Sequence, residues 1–416
     1  MAIQQPETAR IQMIRRLLLI PLLILLSACH DKIETPRQTE PVERTVLMYF
    51  PWSGPGRGNL TQYFKQNIAD IETVVAQGVL KNDRILVYFM NSETEAELFE
   101  LRQQKNTCIR VSKKKYDSVP IFTTAAGIAS ILNDVRQYAP AEHYAMTIGC
   151  HGLAWLPVSQ SHVRAQATER QKEYWEYESE GRPLTRWFGG TDEKYQTDIT
   201  ELAAGIEQAG MKMDYILFDD CYMASVEVAY ALRHVTDFLI GSTCEVMAVG
   251  FPYGKIGPYL VEDIDYQAIS QAFYDFYMSY QYPYGTISVT VCRELNALAD
   301  VMRRINERYT FNATEANLRR LQYLDGYSPV CFFDMGDYVR QLCNDAALLA
   351  EFEEQLERTV PSAWHRHTPS FYSMSCGVNP IRTYSGITTS DPSINPNTVQ
   401  AKQKTEWWQT THARQL

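Results

Sequence analysis

The chain has 416 residues, 45% of them hydrophobic, and a formal net charge of −10 at pH 7. That length exceeds the usual single domain and allows a sizeable buried core. The acidic balance argues against a nucleic-acid surface, which needs a basic patch to displace counterions, and is compatible with cationic substrates.

The first residues address the compartment. Arg15 and Arg16 precede an apolar run over 17–26 that ends in Ser27, Ala28 and Cys29, the layout of a bacterial export signal. The run is too short for a permanent membrane span. Leu26-Ser27-Ala28-Cys29 resembles a lipobox, in which cleavage before the cysteine is followed by lipid attachment to its sulfur. We therefore expect a signal peptide over 1–28, lipidation at Cys29, and a polar tether over 29–44 that holds the protein at the bacterial cell envelope. The competing reading is an ordinary signal with a chance cysteine. The other cysteines fall at 108, 150, 221, 244, 292, 331, 343 and 376, and none forms a CxxC pair, so zinc-ribbon and thioredoxin readings fail on spacing. An extracytoplasmic compartment would still permit disulfides.

In chain order, 45–50 predicts a strand, and Asn59 opens a helix with apolar positions at Leu60, Phe64, Ile68, Ile71 and Val75. A second strand is expected over 85–90 and a polar hairpin after it. Ile128, Ile131, Leu132 and Val135 mark a helix that stops before Pro140, and 144–148 reads as a third buried strand. Residues 157–196 lack periodicity and read as a long insertion. Asp198 and Glu201 have capping-box spacing before a helix through Leu202 and Ile206 that closes at Gly210. A strand over 215–218, a helix over 223–233 and a strand over 238–241 follow. Beyond Asp263, helices are expected over 269–277, 295–309 and 346–356, with strands over 286–291 and 329–333. Strands alternating with helices specify right-handed βαβ units. The fold class is α/β, a doubly wound, mostly parallel sheet flanked by helices over 45–262, with a C-terminal α+β region over 263–416 packed on that core.

In such sheets ligands collect beyond the carboxyl ends of the strands. His151 and Cys221 both occupy that place, after successive core strands. The helix after Cys221 would direct its free N–H groups and positive dipole end at the sulfur and favour thiolate, and an adjacent imidazole would manage the proton. Gly152 permits close backbone approach, which makes its N–H, with that of Cys221, a candidate oxyanion donor. The bland alternatives are a small core cysteine and a His-Gly turn. Asp219 and Asp220 sit beside the thiol, and Asp220 is expected to cap the helix. The glycine-rich loop 53–59 lacks a Gly-Lys-Ser/Thr ending and reads as a rim of the site, not a phosphate cradle.

An apolar strand ending in His151-Gly152, then one ending in Asp219-Asp220-Cys221-Tyr222-Met223 before a helix with Glu227, Ala229, Tyr230 and Leu232, resembles the clostripain-like cysteine peptidases. Trp155, Thr185-Arg186, Phe188-Gly189, Gly241-Ser242, Tyr384-Ser385-Gly386-Ile387 and Thr405-Glu406-Trp407 extend the likeness over most of 45–412. The resemblance implies a caspase-like fold and endopeptidase action on protein or peptide substrates through a Cys221–His151 dyad, usually after Arg or Lys. It implies that Asp219 receives the basic side chain. The family often places a second pocket acid in the loop after Gly241-Ser242, where this chain offers Glu245. It also implies self-cleavage between His151 and Cys221, where Arg164, Arg170, Lys172, Arg182 and Arg186 are basic cleavage points. No cofactor or metal is required; calcium stimulation is a family property for which the chain shows no EF-hand loop. Two rivals stand beside this reading: a catalytically silent surface lipoprotein that binds protein or glycan with its many aromatics, and a metal hydrolase using His151, Asp219 and Asp220, a poor ligand set.

Overall fold

A computed structural model describes residues 40–56, 59–158 and 195–412. The expected signal, Cys29 and most of the tether lie outside the described residues, as do the basic positions of the insertion, Thr185-Arg186 and Phe188-Gly189.

The apolar runs form eight strands: β1 (Val42–Phe50), β2 (Asp83–Ser92), β3 (Glu95–Gln104), β4 (Thr107–Lys115), β5 (Ala141–Ile148), β6 (Met213–Phe218), β7 (Thr236–Gly241) and β8 (Thr286–Val291). With a short edge strand, Arg366–His367, they make a nine-stranded sheet, in which β8, β7, β6, β5, β1, β2, β3 and β4 are successive neighbours. Strands β2, β1, β5, β6 and β7 run parallel, β3 and β4 extend one edge as an antiparallel hairpin, and β8 closes the other side antiparallel to β7. The central strands are continuous apolar stretches because helices cover both faces of a parallel sheet. Tyr215, Ile216, Leu217 and Phe218 of β6 are all buried. This is the mostly parallel, helix-flanked sheet expected from the alternating pattern.

The helices are α1 (Thr61–Ala76), α2 (Ala125–Tyr138), α3 (Ile199–Gln208), α4 (Val226–Leu232), α5 (Tyr266–Ser279), α6 (Leu295–Arg308), α7 (Met335–Leu342) and α8 (Ala346–Thr359), with shorter turns between them. α2 packs on α3 and α3 on α4, whereas α1 meets the turn Tyr253–Ile256, which in turn meets α5. Strand β8 pairs with β7, so residues beyond Asp263 build part of the central sheet. The chain leaves β1 toward β2 on one side and returns through β5, β6 and β7 on the other, which puts the topological switch point between β1 and β5.

Three local expectations are corrected. The helix expected from Met223 begins only at Val226, capped by the Ser225 side chain, which accepts the Val228 N–H at 3.3 Å. The strand expected over 329–333 shrinks to Phe333–Asp334, because the buried Asp325 carboxylate takes the N–H groups of Tyr327, Cys331 and Phe332 and holds that segment as a loop. The capping-box acids are spent elsewhere: Asp198 accepts the Val158 N–H at 2.8 Å and Glu201 the Ala125 N–H at 2.7 Å, tying α3 to the loop after His151 and to the start of α2.

At the sheet margin, His365 is wedged against Gly386, where an added Cβ would stand 2.4 Å from its Nδ1, and lies edge-on to Tyr384. Burial pushes its pKa down to about 4. The folded state therefore favours the neutral ring: the stability this supplies is complete above the ordinary value near 6.5 and is lost as pH falls through about 4. His365→Phe is expected to remove up to about 3 kcal/mol of acid destabilisation between those pH values, read as a smaller drop in Tm from pH 7 to pH 4 than in wild type.

Candidate active site

The site forms where the segments after β5 and β6 leave the sheet together. Their parallel pairing ends with Ile148 opposite Phe218, and the Asp219 N–H continues it by donating to the Ile148 carbonyl at 2.8 Å. On the other flank the Gly149 N–H donates to the Tyr49 carbonyl at 3.0 Å. These bonds bring His151-Gly152 against Asp220-Cys221. An added Cβ at Gly152 would stand 2.4 Å from the Cys221 carbonyl oxygen and 2.9 Å from the Cys221 nitrogen, so only glycine fits. The two sequence blocks are thus in contact through their backbones.

Asp220 does not cap α4. Its Oδ1 accepts the Cys150 N–H at 2.6 Å, so this buried carboxylate ties the cysteine-bearing turn to the histidine-bearing turn. Its neighbour faces the other way: the Asp219 Oδ1 accepts the Phe251 N–H at 2.8 Å, in the segment after β7. That divergence is the alternation of an extended chain continued past the end of β6. It also separates the carboxylates of the metal-hydrolase rival, and among the described residues no cluster of three or more His, Cys, Asp or Glu side chains is arranged to hold a metal ion.

The Cys221 sulfur is buried, and it accepts the Val246 N–H at 3.2 Å. Because the helix starts five residues later, at Val226, this loop amide takes the place expected for a helix N-terminus. Burial pushes the thiol well above the ordinary cysteine range, the Glu245 and Asp220 charges push in the same direction, and the Val246 N–H opposes them. The sulfur is shielded from solvent, and its surroundings favour the neutral thiol. The eight described cysteines are all free thiols.

Tyr222 follows the cysteine at φ +65°, a left-handed conformation that is costly for a large side chain and persists only when the surroundings impose it. Here they do. Its ring stacks on Phe332, its N–H donates to the Cys244 carbonyl at 3.1 Å, and its hydroxyl donates to Glu245 at 2.9 Å. Glu245 in turn accepts from the Ser373 hydroxyl at 2.5 Å and from the Met374 N–H at 3.1 Å. This acid is held by the hairpin of Ser370–Ser373 and Gly377–Pro380.

The C-terminal segment reaches both halves of the site, a link with no signal in the sequence. Thr388 bridges Ser225, the Ser390 N–H donates to Glu227 at 2.7 Å, and the Ser390 hydroxyl accepts the Trp155 Nε1–H at 3.1 Å. Burial raises Glu227 to about 7. Beside His151 and Gly152, at the switch point, lies a cavity of about 100 Å³ whose wall includes Trp52, Ser53 and Asp220. Of the glycine-rich loop 53–59, Ser53 lines this cavity.

Comparison with known proteins follows the same lines. The pattern of the clostripain family matches residues 172–356. Among solved structures, the chain is similar to a secreted C11 cysteine protease from Bacteroides thetaiotaomicron, iotapain, at 52% identity over 89% of this chain and 100% of that one, with TM-score 0.79. It is similar to a clostripain from the same organism in complex with the peptide inhibitor BTN-VLTK-AOMK, at 56% identity over 55% of this chain and 100% of that one, with TM-score 0.53. An inactive zymogen C11 protease from Parabacteroides distasonis matches at 26% identity over 90% and 99% of the two chains, with TM-score 0.72. No curated protein matches.

Two outcomes are expected from this geometry. Gly152→Ala forces the Cys221 backbone away and is expected to destabilise the fold by about 2 kcal/mol or more, as overpacking does, measured by urea unfolding. Alkylation of Cys221 by iodoacetamide, followed by mass spectrometry of the resting protein, is expected to accelerate only above the ordinary thiol pKa of about 8.5; a midpoint below neutrality would mean that the sulfur is held as thiolate.

Proposed function

The chain belongs to the clostripain family of cysteine peptidases, and from that premise we propose that it is an exported, lipid-anchored endopeptidase that cleaves after Arg or Lys through Cys221 and His151. The observation that carries this reading is the backbone contact between Gly152 and Cys221, which brings the only His-Gly and Asp-x-Cys blocks of the family pattern to one strand-end crevice.

In the proposed reaction the His151 imidazole takes the Cys221 proton, the thiolate attacks the scissile carbonyl, and the Gly152 and Cys221 N–H groups receive the oxyanion. The imidazolium then protonates the departing amine, and water hydrolyses the thioester. No step calls on a cofactor or metal, and added calcium is expected to leave the rate unchanged. The buried sulfur has to emerge first, so the reading includes displacement of the Val246 N–H and the segment around it when a peptide binds.

Asp219 is the proposed partner of the basic side chain. It is buried, and a carboxylate in that setting recognises guanidinium or ammonium by charge-assisted hydrogen bonds. Glu245, already bound to Tyr222, Ser373 and Met374, would add negative potential to the pocket while holding its wall. The inhibitor carried by the related clostripain is a peptide, which agrees with protein or peptide substrates. Export agrees with a secreted relative, and Cys29, at the end of the lipobox-like run Leu26-Ser27-Ala28-Cys29, is the proposed attachment point. Maturation by a self-cut between His151 and Cys221, at one of the basic residues there, completes the reading.

The test uses fluorogenic peptides that differ only at the residue before the cut. Cys221→Ala and His151→Ala are each expected to lower kcat/KM by at least about 10³-fold. Asp219→Asn is expected to lower it about 100-fold for Arg and Lys peptides while sparing uncharged ones. Full activity in Cys221→Ala would overturn the proposal. On a denaturing gel the wild type should resolve into two pieces and Cys221→Ala into one, and Cys29→Ala should leave the membrane fraction.

A further inference from the structure

The cavity beside His151 has a definite side. Its apolar wall includes Tyr49, Phe122, Ile148, Leu156, Leu202 and Phe218, together with His151 and Asp220, and Cys221, Asp219 and Glu245 lie outside that lining. The Asp219 carboxylate is bound to Phe251, after β7, whereas the Asp220 carboxylate is bound to Cys150, after β5. Asp219 is thus tied toward the β7 side of Cys221, whereas Asp220 and His151 belong to the β5 side, where the cavity lies next to the end of β1.

Chemistry gives that arrangement a meaning. When a peptide bond breaks at a thiol–imidazole pair, the imidazolium must deliver its proton to the departing amine nitrogen. The amine side of the substrate consequently lies beyond the imidazole, and the acyl side, with the residue before the cut, lies on the other flank of the sulfur. We propose that this cavity is the subsite for the side chain immediately after the scissile bond, and that it selects a large apolar residue such as Leu, Met or Phe. The inference rests on the Cys221–His151 reading and goes beyond it by giving the enzyme a second specificity site.

The walls support an apolar occupant. The two carboxylates that reach the lining are engaged with backbone amides, Asp220 with the Cys150 N–H at 2.6 Å and Asp198 with the Val158 N–H at 2.8 Å. Their charge disfavours an acidic side chain, and the apolar part of the wall, interrupted by Ser53, Gln196 and Thr197, offers dispersion contacts and the expulsion of water from apolar surface.

The experiment uses the full chain and peptides with Arg before the cut and Leu, Gly or Glu after it. The Leu peptide is expected to exceed the Gly peptide in kcat/KM by about 10- to 100-fold, and the Glu peptide to fall below both. Leu202→Phe, which adds volume at the cavity wall, is expected to abolish the Leu advantage while leaving the Gly peptide, and covalent labelling of Cys221 by an Arg chloromethyl ketone that carries nothing after the scissile position, unchanged. Should that variant fail to fold, Phe122→Ala enlarges the space and is expected to move the preference from Leu toward Trp. A second measurement reads the same subsite from the acyl-enzyme. With an Arg ester as substrate, an added amine attacks the thioester carbonyl, the C–S bond breaks and the sulfur regains its proton; Leu-amide is expected to capture more of the acyl group than Gly-amide at equal concentration. Equal rates for Leu and Gly in both measurements, with normal labelling of Cys221, would overturn the subsite and leave the cysteine mechanism standing. Absence of labelling in the wild type would remove both.

Discussion

The parallel pairing of β5 with β6 is the constraint on which the rest of the site depends. Two strands that run side by side must release their chains at the same edge, and the hydrogen bond from Asp219 to Ile148 carries the register one residue beyond the regular pairing. The turn that follows a histidine three residues after one strand then packs against the backbone of a cysteine three residues after the other. The glycine between the histidine and its loop is what lets the two backbones close. A shift of register by one residue would reverse which side chains face the crevice, so the pairing that builds the sheet also sets which residues stand there.

Around that meeting point the protein holds its reactive groups under restraint. Tyr222 occupies an unfavourable backbone conformation that stacking on Phe332 and the bond to Glu245 maintain. The sulfur lies under the segment after β7, with one amide directed at it and two carboxylates near it. Burial and negative charge both favour the neutral thiol, and they outweigh the single N–H donor. A shielded thiol suits a peptidase that is synthesised in the same cell as its potential substrates.

The C-terminal region is structural in a second sense. It supplies β8 to the sheet, closes the clamp on Glu245 through Ser373 and Met374, and joins Trp155 to Glu227 through Ser390. The halves of the site are therefore fastened by hydrogen bonds from residues more than a hundred positions away. Removing one partner of such a buried polar contact leaves the other desolvated and unpaired, which is why these distant serines belong to the architecture of the site.

Much of this was legible in the chain itself. Period-2 and period-3.6 patterns located β1, β2, β5, β6, β7 and β8 and most of the helices, because burial on both faces of a parallel sheet demands uninterrupted apolar runs. The same patterns placed His151 and Cys221 at strand ends. Local signals failed where a side chain had a distant alternative: Asp198 and Glu201 bond Val158 and Ala125, Asp220 bonds Cys150, and the Asp325 carboxylate turns an expected strand into a loop. Sequence spacing cannot see such partners, since the free energy of a buried carboxylate depends on which amide the fold brings to it. The sequence alone determined which strands exist and which residues stand at their ends. Only the tertiary structure decided the burial of the thiol, the direction each carboxylate faces and the cavity beside His151, because burial and hydrogen-bond partnership are properties of the packed chain and not of its order.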